Sequence, residues 1–165
     1  MATTGFAERI AYGRPLNLEQ EADEPVHLVP RATTALIGRI LIAAIFVVSG
    51  IAKLTDTSGT AAYMNAIGLP QATTLAIIAG LAEVAGGLAI AFGFLGRLAS
   101  LGLILFLIPT TLLFHNFWAL EGAEAKLQLV NFMKNLAIIG GLALLYAHGP
   151  GRYSVDARMR RPLDA

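Results

Sequence analysis

Four ionisable side chains stand inside otherwise apolar stretches of this sequence: Arg39, Glu83, His115 and Lys134. In hydrocarbon such groups cost several kcal/mol unless they are paired, so each marks a functional hypothesis. Glu83 is the most informative. A lone carboxylate in a low dielectric either keeps its proton or takes a cation. Arg39 and Lys134 lie to either side of its depth, which nominates them as its partners. Two readings stay open: a structural brace, Arg39–Glu83–Lys134, that fixes helix register, or an acid that handles protons or a ligand. Gly80, Gly86 and Gly87 stand three or four residues from Glu83, a pattern that lets a neighbouring backbone approach closely. Lys53 falls at the end of its apolar stretch, where its long side chain is expected to reach water.

A second set of polar residues joins this one. Gln128, Asn131 and Asn135 follow at i, i+3 and i+7, and with Lys134 they share one broad helical face. His115 and Asn116 arrive at the same depth from another segment. Pro109 is expected to kink that segment and free the carbonyl of Leu105. Arg39, Glu83, His115, Asn131, Lys134 and Asn135 thus form the candidate internal polar cluster. A quinone head group suits it, because two carbonyl oxygens need a donor at each end and an acid or imidazole to pass protons. The three histidines, His27, His115 and His148, include no pair at metal-ligand spacing. The absence of cysteine excludes disulfides, thiol couples and cysteine-held iron–sulfur clusters.

The elements that must position these residues follow from composition. Of 165 residues, 56% are hydrophobic and 14% charged, with a mean hydropathy of +0.66; soluble domains carry about 25% charged residues. A net charge of +1 offers little of the basic surface that nucleic acid requires. Crossing a bilayer takes about 20 helical residues. Four stretches meet that length, over 34–54, 72–94, 98–118 and 127–147. The expected fold class is an all-α membrane protein, a bundle of four transmembrane helices spanning residues 31–151. Within the first connection, Ala61–Ile67 is expected to form a helical turn at the interface. Gly149-Pro150-Gly151 ends the last helix.

Outside the bundle lie an acidic tail, 1–30, and a basic tail, 152–165. The first has Glu19, Glu21, Asp23 and Glu24 as candidates for docking a partner, and a short helix is expected around Phe6–Tyr12. Arg31, Arg97, Arg152, Arg158, Arg160 and Arg161 gather on the side of the termini, against Lys53 and Lys126 on the other. Positive-inside orientation then puts both termini in the cytoplasm.

From about Arg39 to Asp156 the chain resembles the DoxX family of small bacterial inner-membrane proteins. The resemblance rests on an ordered set of segments. Arg39-Ile40-Leu41 leads to Ser49-Gly50-Ile51-Ala52-Lys53-Leu54, then Ala66-Ile67-Gly68-Leu69-Pro70 and Gly80-Leu81-Ala82-Glu83 with Gly86-Gly87. Asn131-Phe132-Met133-Lys134-Asn135 and Gly149-Pro150-Gly151-Arg152-Tyr153-Ser154-Val155-Asp156 close it. What the resemblance implies is a four-helix inner-membrane protein, linked in some members to quinone-dependent oxidation within oxidoreductase complexes. The expected partners are the lipid bilayer and other membrane-complex subunits, with quinone as the candidate ligand. The competing expectation is a non-catalytic accessory subunit of a respiratory or photosynthetic complex, docked through its helices and acidic tail.

Overall fold

The computed structural model describes residues 30–160. The acidic residues Glu19, Glu21, Asp23 and Glu24, the short helix expected at Phe6–Tyr12, His27 and Arg161 lie outside the described residues. Helix α1 spans Arg31–Thr55, α2 Thr57–Ala66, α3 Ala72–Phe92, α4 Gly96–Phe114, α5 Gly122–His148 and α6 Val155–Met159. A single 3-10 turn, Phe117–Ala119, joins α4 to α5. Among the described residues there is no strand. Helices α1, α3, α4 and α5 are each long and apolar enough to cross a membrane. Leu41, Val48, Leu98, Leu105 and Leu144 are more than 60% exposed on their outer surfaces. Such a surface would be costly in water and is the favourable one against lipid.

The tightest packing is between α1 and α3, and glycine makes it. A methyl on Gly50 would stand 2.7 Å from the Gly80 carbonyl oxygen and 2.8 Å from a Val84 methyl. One on Gly87 would meet Val47, Phe46 and the Ala43 carbonyl. Gly86, expected on the same stripe, faces Leu103 of α4 instead. Helix α5 closes the ring, packing on α4 and touching α1 at Ile42, against Gly141. Two apolar clusters result. Ala43, Phe46, Ile90, Leu103, Leu107 and Leu142 fill the half nearer the C-terminal segment. Ala61, Met64, Ala72 and Ala76 seat α2 on the start of α3.

Helix α2 is longer than the expected helical turn. Asp56 caps it, accepting the Gly59 amide at 2.9 Å, and its buried Ala61 and Met64 supply the apolar face that holds it down.

Arg39 departs from the expected cluster. It is 2% exposed and turns toward the chain's C-terminal segment. Its guanidinium donates to the carbonyls of Pro150 at 2.5 Å, Tyr153 at 2.7 Å and Ala91 at 3.2 Å. Asp156 completes the clasp by taking the Leu95 and Gly96 amides at 2.8 and 2.9 Å. Those are orphan donors at the start of α4, and Leu95 sits there at a φ of 48°. Ser154 caps α6 and donates to the Gly151 carbonyl at 2.6 Å. The segment after Gly149 therefore locks three helix ends together as well as ending α5.

Replacing Arg39 with Met removes all three donor bonds. Hydrogen bonds to charged groups contribute about 1.5–3 kcal/mol each, with incomplete additivity. The variant is expected to lose about 2–4 kcal/mol in detergent unfolding, and limited proteolysis is expected to cut near Gly151 sooner than in the wild type. Unchanged unfolding and cleavage would show that the clasp carries no stability.

Candidate functional site

Between the two apolar clusters the helices leave a cavity of about 1030 Å³. Phe46 and Leu107 form its floor; Met64, Leu69 and Phe114 form its roof. Pro109 lines its α4 wall, within a helix that runs on to Phe114. Beside it, the Thr110 hydroxyl donates to the Phe106 carbonyl at 2.7 Å. Tyr63 fixes the roof to the end of α4: its ring lies 5.6 Å from that of Phe114, and its hydroxyl reaches the Phe114 carbonyl at 3.5 Å.

Glu83 is 5% exposed, and its partner is Lys53. The Lys53 ammonium stands 2.8 Å from Oε2 and 3.1 Å from Oε1, with its third donor on the Ser49 hydroxyl at 2.7 Å. This corrects two expectations together. Neither Arg39 nor Lys134 is bonded to Glu83, so the Arg39–Glu83–Lys134 brace does not form. The Lys53 side chain is only 23% exposed and reaches inward, not to the surface. In the low dielectric of the site all three ammonium protons are placed, two on the carboxylate and one on Ser49.

The remaining residues of the expected cluster do share the cavity. His115, Asn131, Lys134 and Asn135 all line it together with Glu83, whereas Arg39 lies beyond the floor. Each is held by a specific contact. The buried Asn135 donates to the Thr111 hydroxyl at 3.0 Å, fixing α5 on α4. His115 Nδ1 meets Gln128 Oε1 at 2.8 Å. An amide oxygen can only accept, so in this arrangement Nδ1 is the donor, which in the neutral imidazole makes Nε2 the acceptor. The Lys134 ammonium donates to Asn131 Oδ1 at 3.1 Å.

Lys53, Ser49 and Tyr63 also belong to the cavity and were not in the expected set. Ser49 and Lys53 carry a signal in hindsight, being i and i+4 on the helix that the Gly80 stripe invites to approach. Tyr63 carries none, because its placement depends on α2 folding back over the bundle.

The model of the DoxX family matches residues 34–116. Arg39, Glu83 and His115 fall within that stretch, whereas Asn131, Lys134 and Asn135 follow it. Inner membrane protein YqjF of Escherichia coli is 42% identical over 126 residues, 76% of this chain and 92% of that protein. Inner membrane protein YphA of the same organism is 34% identical over 128 residues, covering 78% and 91%. An uncharacterized membrane protein of Mycobacterium tuberculosis, Rv3486, is 27% identical over 138 residues, covering 74% and 79%. No solved structure matches.

The pair can be tested by a cycle. Removing one member of a buried ion pair strands the other and costs about 3–5 kcal/mol, whereas removing both is often close to neutral. Lys53→Met alone is thus expected to lower stability by about 3 kcal/mol in detergent unfolding, and Lys53→Met with Glu83→Gln to recover most of it. Additive losses in the double variant would mean that the two groups are not coupled.

Proposed function

The chain belongs to the DoxX family, and from that premise we propose that its cavity binds the head group of a membrane quinone as part of a redox complex. The observation that carries the reading is the cavity itself: about 1030 Å³, against roughly 300–1,000 Å³ for ligand pockets generally. Its walls are mostly apolar, and a few titratable groups converge on one chamber.

A quinone ring is flat and apolar with an acceptor oxygen at each end. Lys134 and the amide of Asn131 are donors on the α5 side, and the Tyr63 hydroxyl stands on the other. Reduction of the ring to the quinol takes up two protons with two electrons, and oxidation returns them. His115, with its acceptor nitrogen, and Glu83 are the groups suited to exchange those protons. The chain has no cysteine, and in this reading the electrons pass to or from a partner subunit.

We read the membrane as the bacterial inner membrane, where the two Escherichia coli relatives are named as residing. Both termini face the cytoplasm in this reading. Arg31, Arg97, Arg152, Arg158 and Arg160 cluster at their end of the bundle, against Lys53 and Lys126 at the other. The cavity then opens in the outer half.

Binding of 2-methyl-1,4-naphthoquinone to the purified protein in nanodiscs checks the reading. Glu83→Gln with Lys53→Met and His115→Ala are each expected to weaken it by about tenfold or more, since each removes a polar partner worth about 1–3 kcal/mol. Gly102→Ala, at a position with open space around it, is expected to leave it unchanged. Equal affinity in all of these would overturn the quinone assignment.

A further inference from the structure

Charge is unbalanced around the cavity. Lys53 and Glu83 neutralise one another. Asp56, on the rim, is exposed and turned to the Gly59 amide and the Ser58 hydroxyl. Lys134 has no such counterpart. Among the described residues the one salt bridge is Lys53–Glu83, and the Lys134 ammonium donates only to the neutral oxygen of Asn131.

Its depth makes this consequential. Lys134 stands seven residues beyond position 127, where the expected span begins within α5, about 10 Å along the axis at 1.5 Å per residue. That lies well inside a hydrocarbon core of about 30 Å. An ammonium at such a depth calls for an anion or several acceptors. One amide oxygen leaves two of its three donors unmet, and the cavity is where they can be met.

Resting on the quinone reading above, we propose that Lys134 makes the cavity selective for quinones that carry an ionised ring hydroxyl. A hydroxyl conjugated with a ring carbonyl is a vinylogous carboxylic acid and is deprotonated at neutral pH. Its charge spreads over oxygens that accept together from one ammonium. The N–H groups of Asn131, whose oxygen is held by Lys134, are left to donate to the same edge of the ring. The one carboxylate deep in the chamber, Glu83, is already turned onto Lys53, so it does not oppose an anion bound beside Lys134.

Two probes that differ by a single hydroxyl isolate the effect: 1,4-naphthoquinone and 2-hydroxy-1,4-naphthoquinone. Each is titrated into the full-length protein in nanodiscs, with empty nanodiscs measured to remove partitioning. The hydroxylated probe is expected to bind about tenfold tighter to the wild type, as charge-assisted bonds are roughly twice as strong as neutral ones. Lys134→Met is expected to bring the two affinities together, and Lys134→Arg to keep them apart. The proposal is overturned if the wild type binds both probes equally, or if the preference survives in Lys134→Met. Binding of the parent quinone without that preference removes the selectivity alone. Failure of both probes to bind the wild type removes the quinone reading with it.

Discussion

Two opposite charges that must meet in a medium unable to solvate them set the architecture of this bundle. In a helix each side chain leans toward its own N-terminus. Helices α1 and α3 run antiparallel, so Lys53 leans inward over Ser49 while Glu83 leans outward to meet it. The pair closes only if the two backbones approach nearly to contact, which the opposed Gly50 and Gly80 permit. Glycine at these positions is costly to a helix in isolation, yet without it the lysine could not span the gap. The ion pair and the glycine contact therefore fix one register between α1 and α3. The wall of the cavity follows from that register.

The opposite end obeys a different demand. Backbone groups at helix ends within or near lipid need partners, because no water is there to supply them. One arginine and one aspartate meet several of these needs. Arg39 gathers carbonyls from the end of α3 and from the stretch after α5, and Asp156 takes the first amides of α4. The stretch from Gly149 to Asp156, which in sequence looks like a helix stop followed by a tail, is folded back because those ends require it.

The four spans were legible because hydropathy reports the solvent, and the solvent here is lipid along the whole length of each helix. The polar face of α5 was legible too, since Gln128, Asn131, Lys134 and Asn135 repeat with the helical period. The partner of Glu83 was not. Depth counted along each helix places Arg39 and Lys134 nearer to it than Lys53, but depth ignores the direction in which side chains lean. Arg39 leans toward the terminus of α1, away from Glu83, and Lys134 leans back toward the start of α5. Only the antiparallel geometry of α1 and α3 aims a lysine and a glutamate at each other. Tyr63 and the roof were hidden for another reason. Helix α2 has little amphipathic signature, and it is the buried Ala61 and Met64 against α3 that bring it over the chamber.

The two polar ends are separated by an apolar seal. Phe46, Ile90, Leu103, Leu107 and Leu142 are buried between the Arg39 clasp and the cavity floor. No polar side chain of the cavity is bonded to one of the clasp. Among the described side chains, no chain of hydrogen bonds leads from Glu83 or His115 to the Arg39 end. A bundle with one clasped end and one hollow end is thus directional by construction. The Lys53–Glu83 pair lines the hollow end alone, with the apolar seal between it and the clasp.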